Sequence, residues 1–199
     1  MDSGRFERRA PIALKILVAG GFGAGKTTLV GSCSEILPLQ TEEYLTDKSV
    51  GTDDTTGVEG KQATTVVMDF GRIGITDDVV LYLFGTPGQD RFWFLWDELA
   101  LGALGAVVIA DTRRLADCFP SVDYFERRGT PFIVGVNCFA GTPSYGTPEV
   151  RLALNLDLEV PVLLCDARDR DSAKEMLIAL VEHAMKSVWG QRDEPAPVP

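Results

Sequence analysis

Gly20-Gly21-Phe22-Gly23-Ala24-Gly25-Lys26-Thr27 is the stretch whose reading decides the fold. It fits the pattern G-x-x-x-x-G-K-[ST] at every fixed position. An apolar run, Ile16-Leu17-Val18-Ala19, comes before it, and Thr28-Leu29-Val30 reads as the first turn of a helix after it. A glycine-rich turn between strand and helix lets backbone N–H groups curl round a phosphate. The helix N-terminus adds a partial positive charge there. Lys26 is placed to reach the outer phosphates, and the Thr27 hydroxyl to take one position on Mg²⁺. The stretch predicts binding of a nucleoside triphosphate with Mg²⁺ through Gly21, Phe22, Gly23, Ala24, Gly25, Lys26, Thr27 and Thr28.

The bulk properties frame that reading. With 199 residues, 45% of them hydrophobic, one well-formed core is expected. Residues 13–190 are read as one domain, between a charged segment at 1–12 and a Pro-rich tail at 191–199. The net charge of −10 and the absence of a basic stripe argue against nucleic acid and anionic membrane as partners. Cys33, Cys118, Cys138 and Cys165 form no C-x-x-C pair, so zinc and thiol-redox readings lack support. Arg5, Glu7, Arg8 and Arg9 crowd the N-terminus where a secretory signal would need apolar residues. The uncharged apolar run at 99–110 is too short to span a bilayer, and Pro197-Val198-Pro199 is no prenylation box. These features predict a cytoplasmic protein with reduced thiols and no membrane insertion.

Periodicity predicts strands at 15–19, 64–70, 79–84, 106–110, 132–136 and 161–164. Helices are expected at 25–37, 92–101, 115–128, 148–154 and 172–189. Pro120 is expected to delay or kink the third helix, and Ser172 with Glu175 has the spacing of a capping box. Residues 39–63 show no sustained periodicity, and a loop of that length inside a compact domain is usually functional or disordered. Residues 71–78 are read as the turn of a hairpin. Alternating strands and helices predict a mostly parallel sheet with helices on both faces and one antiparallel edge hairpin. Ligands of such sheets sit at the C-terminal strand ends. The phosphate loop, residues 85–89, Asp111, Asn137 and residues 165–168 should therefore share one rim.

Residues 85–89, Gly-Thr-Pro-Gly-Gln, carry a family resemblance. Together with the phosphate loop, an Asn after a later strand and the late Asp166-Ala167-Arg168, they resemble a Ras-like small GTPase over about residues 15–183. The resemblance is nearest to the bacterial MglA type, and within it to the actinobacterial conservon GTPases encoded beside roadblock-fold proteins. It implies a phosphate-loop NTPase fold of the small-GTPase kind and a molecular switch that binds GTP and GDP with Mg²⁺ and hydrolyses GTP slowly in bacterial signalling. It also implies a roadblock-family regulator as partner. Gly88 matches the amide that senses the γ-phosphate, and Gln89 the residue that orients the attacking water. Gln89 and Lys26 are the catalytic candidates. Thr65 is the best match to the first-switch Thr on Mg²⁺, with Thr64 and Thr56 as rivals, so Thr27 and Thr65 form the expected metal pair. Asn137 and Phe139 match the base-recognition loop, and Asp166, Ala167 and Arg168 the last nucleotide-contacting loop.

Three positions depart from that family's pattern. Gly85 stands where an Asp supports Mg²⁺, which leaves Asp69 or water to do so. Ala140 stands where a carboxylate pairs with guanine, and Asp166 is the one substitute in view. No arginine finger declares itself, although Arg91 and Arg72 are near enough in sequence to consider. Phe92-Trp93-Phe94-Leu95-Trp96 is a dense aromatic cluster. Phe92, Leu95 and Trp96 share a core-facing stripe, and Trp93 points to a partner surface. Two other functions stay open: an ATP-using phosphotransferase, disfavoured by the acidic segment at 39–63, and a nucleotide-binding scaffold with little hydrolysis. The sequence leaves the oligomeric state open.

Overall fold

The computed structural model describes residues 10–37, 39–45, 64–88, 94–141, 143 and 145–190. Seven strands form one sheet: β1 Ile12–Gly20, β2 Leu39–Leu45, β3 Thr64–Thr76, β4 Val79–Gly85, β5 Gly105–Ala110, β6 Phe132–Asn137 and β7 Val162–Cys165. The spatial order is β2-β3-β4-β1-β5-β6-β7. β1 pairs in parallel with β4 and β5, and the parallel ladder continues through β6 to β7. The helices are α1 Lys26–Cys33, α2 Phe94–Ala100, α3 Phe119–Arg128, α4 Thr147–Ala153 and α5 Arg170–Gly190.

Strand alternation explains the two-sided core. Side chains of successive strand residues point to opposite faces. Ile16 and Val18 thus pack with Leu29, Val30, Met176 and Leu180 of α1 and α5. Leu17 and Ala19 pack on the other face with Trp96, Val122, Phe125 and Val150 of α2, α3 and α4. β5 is buried at all six positions, as expected of a central parallel strand.

The α/β class and the mostly parallel sheet agree with the sequence reading, and five details differ. The antiparallel edge has three strands, because β2 forms within a stretch read as aperiodic and pairs with β3 from Leu39↔Phe70 to Leu45↔Thr64. β3 continues through Gly71 and Gly74 to Thr76, which reduces the predicted turn to Asp77-Asp78, and a register shift between Gly74 and Thr76 absorbs the irregularity. α1 ends at Cys33, where extended Ser34 leaves the helix and its hydroxyl accepts a hydrogen bond from the Arg72 N–H at 3.2 Å. The third predicted helix divides into a 3₁₀ segment at Thr112–Cys118 and α3, which carries Pro120 in its first turn, where a missing N–H is harmless. α5 begins two residues before Ser172. Asp169 accepts the Ser172 N–H at 2.7 Å in the capping role assigned to Ser172, and the Ser172 hydroxyl accepts the Asp166 N–H at 3.0 Å.

Among the described residues, no helix is long and apolar enough to cross a membrane. All four cysteines are free thiols, three buried and Cys138 exposed.

Candidate functional site

The phosphate loop leaves the end of β1 and opens α1. Gly25 is the N-cap of α1 at φ +113°, a conformation that side chains with a Cβ rarely adopt. A Cβ there would also lie 2.6 Å from the Asn137 amide nitrogen. The Lys26 ammonium folds back along the loop and donates to the carbonyls of Gly20 at 2.9 Å and Gly21 at 2.8 Å. Its burial lowers its pKa to about 8, against the opposing pull of the Asp69 carboxylate. A buried ammonium held only by carbonyls is poised for a stronger anionic partner.

Thr27 and Thr28 are exposed in the first turn of α1. The Thr27 hydroxyl donates to the Asp69 carboxylate at 2.6 Å. Asp69, on β3, is 7% exposed. A Cβ at Gly85, on β4, would lie 3.0 Å from both the Cβ and Oδ2 of Asp69. The carboxylate on β3 therefore fills the space that a side chain on β4 would take. The resulting donor set is a hydroxyl and a carboxylate, both hard oxygen. It fits Mg²⁺, which is commonly held by one or two carboxylates plus substrate phosphates. Donation to Asp69 leaves the Thr27 lone pairs for a cation. Among the described residues, no group of three or more His, Cys, Asp or Glu could hold a metal by itself.

The segment after β4 lies against the same loop. The Thr86 N–H donates to the Val18 carbonyl at 2.8 Å. A Cβ on Gly88 would lie 2.6 Å from the Lys26 ammonium nitrogen and 3.1 Å from the Phe22 amide nitrogen. Gln89 lies outside the described residues, as do Arg91, Phe92, Trp93 and Thr56. Thr65 pairs with Tyr44 in the β2–β3 ladder. Four residues of strand separate it from Asp69, about 13 Å. Only its backbone is described.

Asn137 ends β6 and is buried. Its amide NH₂ donates to the Ala24 carbonyl at 2.9 Å, and its amide oxygen accepts the Ala167 N–H at 3.1 Å. One side chain thus ties the phosphate loop to the loop after β7. Asp166 and Arg168 form a bidentate ion pair at 2.8 and 2.7 Å. The Arg168 side chain and backbone N–H hold the Asp166 carboxyl down to about 2. The Phe139 ring lies under the Arg113 guanidinium at 3.6 Å, and Arg113 pairs with Asp111. Asp111 also accepts the Arg113 N–H at 3.0 Å, so it caps the 3₁₀ segment. Phosphate loop, residues 85–88, Asn137 and residues 166–168 share one rim, as the topology predicts.

A family model described as conserved hypothetical ATP binding protein matches residues 18–187. The chain belongs to that family. The uncharacterized protein MJ1339 of Methanocaldococcus jannaschii is 35% identical over 101 residues, which cover 51% of this chain and 53% of that one. The chain thus spans about half the length of the curated relative it matches. Among solved structures, the G domain of the T. maritima FeoB iron transporter is similar with TM-score 0.61 and 16% identity, covering 87% of this chain and 99% of that one. The cytosolic domain of the same transporter in a GDP form gives TM-score 0.61 at 16% identity, over 88% and 65% of the chains. At that identity the likeness shows the fold, a G-domain-like phosphate-loop fold.

One contact escaped the sequence reading. The Arg114 guanidinium donates to the Phe22 carbonyl of the phosphate loop. Arg72, considered earlier as a finger, sits beside Ser34 at the far end of α1 from that loop. The signal that could have singled out Arg114 is an arginine pair directly after a strand that ends on the ligand rim.

Proposed function

We propose that this ATP-binding-family chain is a nucleotide-dependent switch that binds GTP and GDP with Mg²⁺ and hydrolyses GTP slowly. The observation that carries the reading is the corner formed by Lys26, Thr27 and Asp69 at the N-terminus of α1. There a buried ammonium, a hydroxyl and a carboxylate converge beside the amides of a phosphate loop. Mg²⁺, when bound, neutralises charge on the phosphate oxygens. Lys26 exchanges its carbonyl partners for phosphate oxygens, and Thr27 stays oriented by Asp69. Gly88 moves off the Lys26 ammonium, and its amide takes up the γ-phosphate. Gln89 orients the attacking water, and the expected pairing of Thr65 with Thr27 would need the end of β3 to leave its ladder with β2. The chemistry is positioning and charge stabilisation. Hydrolysis is slow because Gly88 must first leave the Lys26 ammonium. The regulator in this reading is a roadblock-family protein of bacterial signalling, and the subgroup is the MglA type. Asn137, Phe139, Ala167 and Arg168 line the base side, and Asp166 reads guanine once released from Arg168.

Two observations favour a second reading, in which adenine nucleotide is the ligand. Ala140 brings no carboxylate to the base loop, and the family carries the description ATP binding. Calorimetric titration with GTP, GDP and ATP, with and without Mg²⁺, separates the two. Binding of GTP and GDP with little ATP affinity supports the switch. A preference for ATP sinks it, and no binding of any nucleotide leaves a scaffold.

A further inference from the structure

We propose that Arg114 is the chain's own arginine finger, a catalytic residue that stabilises the charge developing on the γ-phosphoryl group during hydrolysis. The inference rests on the hydrolytic reading above. It starts from the backbone. β5 ends at Ala110, Asp111 caps a 3₁₀ segment, and the helical run breaks at Arg114, whose φ and ψ are −143° and 55°. The break turns the Arg114 side chain toward the phosphate loop. Its guanidinium donates to the Phe22 carbonyl, and a Cβ on Gly23 would lie 3.4 Å from its NH2. Phe22 and Gly23 are the middle of the phosphate loop. A guanidinium there lies beside the loop that, in the hydrolytic reading, holds a nucleotide's outer phosphates.

The contacts that hold Arg114 are ones a triphosphate can displace. A neutral carbonyl is a weaker partner than a phosphate oxygen. Among the described residues, the one ion pair of Arg114 is a long one, 3.6 Å to Asp117, and both side chains are about half exposed. Arg113 next to it is committed elsewhere, bound to Asp111 at 2.6 Å and stacked on Phe139. Among the described arginines, Arg114 alone has a hydrogen bond to the phosphate loop.

In the step itself, the water oxygen bonds to the γ-phosphorus and the bond from γ-phosphorus to the β–γ bridging oxygen breaks. The diphosphate leaves with that electron pair, and the water proton ends on the released phosphate. Arg114 keeps its protons throughout. It donates hydrogen bonds to oxygens whose negative charge grows as the bond breaks, and such a group is worth about 10³-fold or more in kcat. A regulator of this chain then has no need to insert an arginine.

Asp117 supplies the competing explanation. A Cβ on Gly21 would lie 2.5 Å from the Asp117 Cβ and 3.3 Å from its Oδ2, so that carboxylate abuts an anion-binding loop. Arg114 could serve only to balance it. The test is single-turnover hydrolysis by the full chain without any partner, with nucleotide affinity measured alongside. Wild type, R114A, R114K and the double variant R114A/D117N are compared. The proposal expects R114A to lose about a thousandfold in rate while GTP and GDP affinities stay within a few-fold. It expects R114K to recover little of the rate, and the double variant to stay as slow as R114A. It also expects wild type, but not R114A, to form a GDP–fluoroaluminate complex. An unchanged R114A rate, or a double variant restored to the wild-type rate, overturns the proposal. Wild type that binds GTP but never hydrolyses it overturns the enzymatic reading and this proposal with it.

Discussion

Moving one carboxylate between neighbouring strands tests the metal corner. The variants are D69A, G85D and the exchange D69A/G85D. In the structure the Asp69 carboxylate accepts the Thr27 hydroxyl at 2.6 Å, and a Cβ on residue 85 would come within 3.0 Å of Asp69 Cβ and Oδ2. A hydrogen bond to a charged group contributes about 1.5–3 kcal/mol. D69A should therefore weaken Mg²⁺-dependent nucleotide binding about 10- to 100-fold. Binding without Mg²⁺ should change little. G85D alone crowds a filled space, which costs about 1–3 kcal/mol. It also sets two carboxylates about 4 Å apart, for a repulsion of up to about 4 kcal/mol at an effective dielectric near 20. Its melting temperature should fall below those of wild type and D69A. The exchange removes both the crowding and the repulsion and returns a carboxylate to the same corner from β4. Its Mg²⁺-dependent affinity should recover to within about tenfold of wild type. The assay is titration of Mg²⁺ against a fluorescent GDP at fixed protein, with thermal melts alongside. If D69A retains wild-type Mg²⁺ dependence, Asp69 is no metal support. If the exchange binds no better than D69A, the corner does not work as a shared volume served by either strand.

Three further outcomes follow from the same geometry. N137A leaves the Ala24 carbonyl and the Ala167 N–H without their partner, at about 1–3 kcal/mol each. The urea midpoint should drop with the m-value unchanged, and N137D should lose at least as much, because a carboxylate then faces the Ala24 carbonyl. Lys26, with its folded pKa at about 8 against 10.5, must hold its proton to grip phosphate. Nucleotide affinity should be flat below about pH 7 and fall by up to about tenfold per pH unit above 8, with proton uptake visible in calorimetry across buffers of different ionisation enthalpy. The same shift makes the unfolded chain bind more protons between about pH 8 and 10.5, so the empty protein gains stability from this group as pH rises through that window. Burial pushes the thiols of Cys33 up to about 11 and of Cys118 and Cys165 to about 12, while Cys138 is exposed. A thiol reagent near pH 8 should label one cysteine in the native protein and four after denaturation.

What the sequence made legible follows from which forces act locally. β1, β5 and β6 are buried on both faces, so their apolar runs stand out in any window. The phosphate loop is equally local, because its chemistry needs glycines and a lysine at fixed spacing. β2 was hidden because its residues, Leu-Gln-Thr-Glu-Glu-Tyr-Leu, are those of an edge strand with a polar middle. β3 looked finished at Phe70 because Gly71 and Gly74 resemble turn residues. In the fold, α1 packs so closely over the strand that a Cβ on Gly71 would lie 2.8 Å from Val30 Cγ1. Arg114 was invisible for a different reason. Its partner, Phe22, is 92 residues away, and the contact depends on a break in a 3₁₀ segment that no periodicity records.

Gly88 and Lys26 give the proposed switch its physical basis. In the structure, residue 88 rests against the Lys26 ammonium and the Phe22 amide, the two groups an outer phosphate would contact. The backbone at residue 88 and an outer phosphate would therefore compete for the same donors. Thr86 stays anchored to β1 through the Val18 carbonyl, so any displacement of Gly88 must pivot beyond residue 86. In the proposed switch the three residues 86–88 act as a short lever. One end is fixed in the sheet, and the other is placed where a phosphate would be. In the proposed switch a diphosphate leaves Gly88 seated and a triphosphate displaces it. Arg114 faces the same loop across Phe22 and Gly23 and is bound to its carbonyl rather than to the lever. On these two proposals the catalytic charge and the conformational signal come from different elements. Loss of Arg114 then abolishes turnover while a triphosphate still displaces Gly88.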